Sequence, residues 1–233
     1  MVEVYICKLP EKTSQEELKV LLAQASYDRQ KRIRQFFHLE DAYRTIIGDL
    51  LLDNVLKERT GARLKDITVE KNAYGKPFLP NYPHIQYNIS HSGNYVVCAV
   101  HNQHVGIDVE KVQVFDLCMA KQLFTAFEYR DILNSKNRIL ACYEIWTLKE
   151  SYVKALGKGL AIPLHSFRVR KSDNNEIEVV DMDKNEKVLD YMYKQYTLDT
   201  DYKLAVCAQD AEKSDFVEYP CEVRFDILSE RVN

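Results

Sequence analysis

Nowhere in the 233 residues does an uninterrupted apolar run approach the roughly 18 residues that a membrane span requires. The opening segment, MVEVYICKLPEKT, lacks the basic stretch and apolar run of a secretory signal. Neither export nor a membrane partner is therefore expected. No C-x-x-C pair occurs either. Cys7, Cys98, Cys118, Cys142, Cys207 and Cys221 lie far apart, which reads as buried thiols in a reducing cytoplasm rather than a zinc site or a disulfide framework. Nor is charge of one sign in excess. A net charge of −3 gives no global pull toward nucleic acid, so any anion site is a local cluster. What remains is an ordinary globular mix, 46% hydrophobic and 29% charged, long enough to bury a core as one large domain or two small ones.

The most informative stretch is Val105–Glu110, VGIDVE. Read with a period of two, Val105, Ile107 and Val109 share one face of a strand, and Gly106, Asp108 and Glu110 the other, exposed one. Gly106 leaves room for a ligand beside the acids. Two carboxylates about 4 Å apart repel by about 4 kcal/mol at an effective dielectric of 20, a penalty that a cation removes. Mg²⁺ takes one or two protein carboxylates and completes its octahedron with water and phosphate oxygens. The plain alternative is a solvated strand edge carrying two acids.

Taken in order, Val2–Leu9 reads as a strand ended by Pro10, and Thr13 or Ser14 starts a helix whose buried face is Leu18, Leu21 and Leu22. Between Arg29 and Arg34 four of six residues are basic, either a solvated helix face or an anion site. A long helix is expected from about Glu40 to Lys57, with Ile47, Leu50, Leu51 and Val55 as its apolar stripe and Gly61 as its stop. Arg44 and Thr45 sit near its first turns, where the helix dipole favours an anion. Ile67–Glu70 reads as a short strand, and Asn72–Pro83 as a loop. His84–Ile89 and Tyr95–His101 read as strands joined by a Ser90–Asn94 turn. With VGIDVE they form an antiparallel meander that brings that turn into one sheet with Asp108 and Glu110. Helical regions follow over about Phe115–Ser135 and Asn137–Leu156. In the second, Ile145, Leu148, Tyr152 and Ala155 form the core stripe, and Trp146, Glu150 and Lys154 a separate one. Trp146 could equally be core, and Glu150–Lys154 an exposed ion pair. Gly157-Lys158-Gly159 ends the helix. Strand-like runs at Phe167–Arg170, Ile177–Val180, Lys194–Leu198 and Lys203–Ala208 are separated by polar turns such as Ser172–Asn175 and Asp199–Asp201. No sequence repeat is evident, but both halves offer strands with one or two long helices. The stretch after Asp210 has no assigned element.

Three segments, GKPFLPNYPHIQYNISHSGNYVVCAV, VGIDVE and WTLKESYVKALGKGL, resemble the signature blocks of the 4′-phosphopantetheinyl transferases of the surfactin-type (Sfp-like) class. RQFFHLEDAYRTIIGDLLL resembles that class's N-terminal helix. The resemblance runs from about Asp28 to Ala208. Its specificity lies in V/I-G-I-D-x-E being followed about forty residues later by W-x-x-K-E-x-x-x-K.

The resemblance implies an α+β fold, a pseudo-dimer of two similar α/β halves (1–104 and 105–233), each a small antiparallel sheet packed on helices. It implies transfer of phosphopantetheine from coenzyme A to a serine of an apo acyl or peptidyl carrier protein, leaving adenosine 3′,5′-bisphosphate. By the same resemblance Asp108, Glu110 and Glu150 hold Mg²⁺, and Lys154 points at the phosphates. Glu150, or a metal-bound water, accepts the serine proton. Arg44, His91, Arg29 and Arg32 surround the 3′-phosphate, while Thr45, Lys76 and Ser90 complete the adenosine and phosphate contacts. Two departures stand out. Val109, between the two acids, offers no ligand, and Arg29 and Arg32 replace the lysines common in this class, keeping the charge. The class is associated with secondary metabolism such as antibiotic biosynthesis, and a cytoplasmic monomer is expected. The competing readings are a Mg²⁺-dependent nucleotide pyrophosphate hydrolase using the same acids, and a non-catalytic coenzyme A-binding module that needs none.

Overall fold

The computed structural model describes residues 1–171 and 176–230. In chain order its elements are β1 (Glu3–Lys8), α1 (Gln15–Leu22), α2 (Tyr27–Ile33), α3 (Leu39–Thr60), β2 (Glu70–Lys71), β3 (Pro77–Phe78), β4 (Gln86–Ser92), β5 (Tyr95–His101) and β6 (Val105–Lys111). There follow α4 (Leu117–Leu123), α5 (Ala126–Asn134), α6 (Arg138–Leu156), β7 (Phe167–Lys171), β8 (Ile177–Asp181), β9 (Glu186–Val188), β10 (Tyr191–Tyr196), β11 (Tyr202–Gln209), β12 (Cys221–Glu222) and α7 (Phe225–Glu230).

Two sheets lie face to face between two long helices. The first has the order β12-β1-β5-β4, the second β10-β11-β6. Strand alternation explains the layering. Val4, Ile6, Val97 and Ala99 on the inner face of the first sheet pack on Val105, Ile107, Val109, Leu204 and Val206 of the second. The outer-face residues Cys7, Val96, Cys98 and Val100 meet Ile46, Ile47, Leu50 and Leu51 of α3. On the far side, Ala205 and Cys207 of β11 meet Leu148, Tyr152 and Ala155 of α6. β5 and β11 are covered on both faces, which is why their sequences run nearly continuously apolar. Each sheet thus has its own long helix, the two-part α+β architecture expected. Both helices end on a left-handed glycine, Gly61 (φ 71°) and Gly157 (φ 67°).

The structure differs from the sequence reading in several places. Residues 67–69 form no strand, because Asp53 accepts the Leu64 N–H at 2.6 Å and turns Leu64–Asp66 into a 3₁₀ helix. The Asn72–Pro83 loop contains β3, paired with β2 as a small hairpin. The turn after β4 is shorter than expected: Ser90, His91 and Ser92 are still paired with β5, and Gly93 (φ 53°) takes the bend. The helical region before residue 135 breaks into α4 and α5, because Thr125 starts a new helix with a reciprocal capping box to Glu128. Between β8 and β10 lies β9, which the sequence reading did not assign. The Ser172–Asn175 turn lies outside the described residues.

The expected three-stranded meander is also corrected. β6 pairs with β11, not with β5. Strands β4 and β6 are the edges of different sheets, and they run side by side through side chains. Asn88 Oδ1 accepts the Ile107 N–H (2.9 Å), Ser90 Oγ the Val109 N–H (3.5 Å) and Ser92 Oγ the Lys111 N–H (3.0 Å). Every second residue of β4 therefore stands in for a missing ladder bond. The stretch after Asp210, unassigned from sequence, crosses back to the first sheet. β12 pairs parallel to β1, and Leu228 of α7 joins the α3 core.

Candidate active site

The seam between β4 and β6, roofed by α6, opens into a cleft of about 330 Å³. Ser90 and His91 enter it from β4, Asp108 and Glu110 from β6, and Trp146, Glu150 and Lys154 from α6. The face of β6 that carries the acids is not exposed, as the sequence reading expected: Gly106 and Asp108 are buried and Glu110 is partly so. Gly106 leaves room for the helix rather than for a ligand: a Cβ there would lie 2.0 Å from Ser151 O and 2.4 Å from Ala155 N. That close approach carries the Glu150–Lys154 turn over the acids.

Lys154 does not form the exposed pair with Glu150. Its Nζ lies 2.5 Å from Asp108 Oδ1 and donates to Ser90 Oγ at 2.9 Å. Ser90 donates in turn to Asp108 Oδ1 at 3.1 Å. Asp108 is only 2% exposed, and its other oxygen, Oδ2, is buried without a hydrogen-bond partner. Burial raises the Asp108 carboxyl, with Lys154 opposing. Glu110 and Glu150 are raised too, by burial and then by the Asp108 charge. Three carboxylates that resist ionising together, one with an orphaned oxygen, form a donor set suited to a hard cation. Among the described residues no three acid, His or Cys side chains stand close enough to cage an ion by themselves.

The other expected site residues divide. Arg44 reaches from α3 to donate to Gly93 O at 2.8 Å and pairs with Asp41, beside half-buried Thr45. Desolvation of the ring, and then the charges of Arg44 and Lys154, lower His91 and favour the neutral imidazole. Arg29 is committed elsewhere. Its Nε and Nη2 bind both oxygens of Asp49 on α3 (2.6 and 2.8 Å), with exposed Arg32 nearby as a further positive neighbour of Asp49. Lys76 is also away from the cleft lining, its amine donating to three backbone carbonyls.

Residues that sequence reasoning missed support the site from behind. Ser92 donates to Glu110 Oε2 at 2.8 Å. Lys149, quoted above in the tryptophan block without a role, is fully buried in an ion pair with Glu128 at 2.9 Å. Its Nζ also donates to Leu164 O and Phe167 O, while Glu128 accepts from Thr125 and Val169, tying α5, α6 and β7 together. A lysine inside an otherwise helical apolar face was the available signal.

Two family models match successive parts of the chain. Residues 12–103 match the family model "4′-phosphopantetheinyl transferase, N-terminal", and residues 104–207 the model "4′-phosphopantetheinyl transferase superfamily". 4′-Phosphopantetheinyl transferase Sfp of Bacillus subtilis (strain 168) is 36% identical over 209 residues, covering 89% of this chain and 92% of its own. 4′-Phosphopantetheinyl transferase ffp of Bacillus subtilis is 34% identical over 231 residues, covering 97% and 100%. The solved holo-[acyl-carrier-protein] synthase of Neisseria meningitidis covers 46% of this chain and 98% of its own at 13% identity and a TM-score of 0.39.

Proposed function

This chain belongs to the 4′-phosphopantetheinyl transferases, and from that membership we propose that Asp108, Glu110 and Glu150 hold a divalent ion, Mg²⁺ by their all-oxygen chemistry, against the diphosphate of coenzyme A. It is an enzyme that moves phosphopantetheine from coenzyme A to a carrier protein. The observation that carries the metal reading is the buried, unpartnered Oδ2 of Asp108, a residue that lines the cleft together with two further acids.

The reaction is attack of a carrier serine oxygen on the β-phosphorus. The new serine–phosphate bond forms as the bond to adenosine 3′,5′-bisphosphate breaks, so positioning and charge stabilisation carry the catalysis. Magnesium bound at the acids would neutralise the charge that builds on the transferred and leaving phosphates. Lys154, held at Ser90 and Asp108, is a compact positive charge one turn from Glu150, placed to bind a phosphate oxygen. Glu150 is the group we assign to take the serine proton. Its place in the cleft, one helical turn from Lys154, is what supports that role. The first half of the chain, 1–104, grips the nucleotide end through Arg44, Thr45, Ser90 and His91, with neutral His91 free to donate one ring N–H. The second, 105–233, carries the acids and Lys154. Arg32 keeps a place at the 3′-phosphate in this reading. Arg29, paired with Asp49, contributes by holding α2 on α3.

One chain supplies both walls of the cleft, which supports action as a monomer. The six unpaired cysteines suit a reducing cytoplasm. No helix among the described residues is long and apolar enough to cross a membrane. The decisive experiment incubates the protein with coenzyme A, Mg²⁺ and several apo-carrier proteins and weighs the products. A carrier heavier by one phosphopantetheine group, dependent on Mg²⁺ and lost in EDTA, is the expected result. Release of nucleotide without carrier modification would identify a hydrolase instead.

A further inference from the structure

Lys76 lies in the turn of the β2–β3 hairpin, yet its amine is spent on another part of the molecule. Nζ donates to Lys154 O (2.7 Å), Val105 O (3.0 Å) and Ala155 O (3.1 Å). An ammonium has three N–H groups and no acceptor, so the three carbonyls match its capacity. Two of them belong to the last turn of α6, where carbonyls lack helical partners and the helix dipole favours a cation. The third opens β6. Asn72, at the other end of the same hairpin turn, donates to Gly157 O at 2.8 Å. A Cβ on Gly157 would lie 2.8 Å from Lys76 Cδ and 3.2 Å from Asn72 Nδ2, so the hairpin is pressed against the helix stop. The same point of contact is fixed from inside by Gly106, against which Ser151 O and Ala155 N press. Burial lowers the Lys76 amine to about 8.

We infer that Lys76 is a positioning residue: it bolts the hairpin to the carbonyl end of α6 and the start of β6, and so holds the Lys154 side chain on Asp108. Its backbone carbonyl partner is Lys154 itself, the residue whose side chain crosses to Asp108 on β6. With the bolt removed, the last turn of α6 loses two hydrogen bonds, on Lys154 and Ala155, and the start of β6 loses one, on Val105, while Arg44, Thr45 and His91 are untouched.

This inference rests on the transfer activity above and replaces a direct coenzyme A contact by the Lys76 side chain. The test compares wild type, Lys76→Met and Asn72→Ala in carrier loading with coenzyme A as the varied substrate, alongside amide hydrogen exchange over residues 153–157. For Lys76→Met, kcat is expected to fall by about tenfold to a hundredfold, the effect of a small misplacement of a reacting group, with KM for coenzyme A changed by less than about twofold. Exchange at Gly157 N–H, bonded to Val153 O, should quicken. Asn72→Ala, at an exposed position, gives a smaller loss in the same direction and decides the matter should Lys76→Met fail to fold. A rise in KM for coenzyme A with kcat unchanged, or no change in either constant, overturns the inference. Wild-type protein that loads no carrier would sink the transfer activity itself, a result distinguishable from an active wild type matched by its variants.

Discussion

The ammonium of Lys154 stands 2.5 Å from one oxygen of Asp108, and the other oxygen of that carboxylate is buried without a partner. The carboxylate is therefore half satisfied: Lys154 and Ser90 fix Oδ1, and Oδ2 has no partner among the described residues. A buried charge of this kind is costly, and that cost is the origin of several expected behaviours.

Asp108→Ala removes the oxygen with no partner and frees Lys154. Carrier loading, read by mass spectrometry, should fall by at least about a hundredfold, the scale of losing one preorganised charge contact. The melting temperature should be little changed. An enzyme that still loads at the wild-type rate would remove Asp108 from the metal site.

Glu150→Gln should abolish transfer and yet stabilise the protein in EDTA. Burial and the Asp108 charge hold the folded carboxyl above its ordinary value of 4.5. The ionised acid is thus worse off folded than unfolded at neutral pH, and the amide escapes that penalty. A rise in melting temperature of about 2 °C is expected near pH 7. The sign of the pH dependence follows. The wild-type acid becomes protonated as pH falls through its raised folded value, so the gap between variant and wild type closes toward acid and is gone below 4.5. Differential scanning calorimetry from pH 4 to 8 reads both outcomes.

Gly106→Ala places a methyl 2.0 Å from Ser151 O, a backbone atom of a packed helix that cannot turn aside. Destabilisation of about 1–3 kcal/mol or more is expected in urea unfolding, typical of forcing extra volume into a packed interface. Carrier loading should fall with it, because α6 moves with Glu150 and Lys154 on board.

Lys149→Met strands the fully buried Glu128. Breaking one side of a buried pair costs about 3–5 kcal/mol. The double variant Lys149→Met with Glu128→Gln should recover part of that loss in the same urea titration. An equal loss in single and double variants would show that packing, rather than the stranded charge, dominates.

Much of the arrangement was legible in the order of residues because it rests on local periodicity. The α3 stripe of Ile47, Leu50, Leu51 and Val55, the Leu148, Tyr152 and Ala155 part of the α6 core stripe, and the inward face Val105, Ile107 and Val109 are buried as their spacing requires, whereas Ile145, expected in that α6 stripe, is only partly buried and packs on the α4–α5 cluster. The three segments that carried the family resemblance also supply every residue lining the cleft. What spacing could not show is where a long polar side chain ends. Arg29 and Lys76 have the right charge for phosphate, but whether a carboxylate or a helix end intercepts them depends on contacts 20 and 78 residues away. The β4–β6 seam was hidden for a similar reason. Alternating Asn88, Ser90 and Ser92 read as a polar strand face, and nothing local says that their side chains replace a backbone ladder.

The return of the chain to β1 has a consequence for how the protein comes off the ribosome. The first sheet cannot be finished by the segment that begins it: its outermost strand is made only when Cys221 and Glu222 emerge. At roughly 5–20 residues per second, β1 waits on the order of ten seconds or more for that neighbour. Through that interval its outer edge is open to the wrong partner. A nascent chain stalled before residue 221 should accordingly be the most chaperone-dependent form of this enzyme.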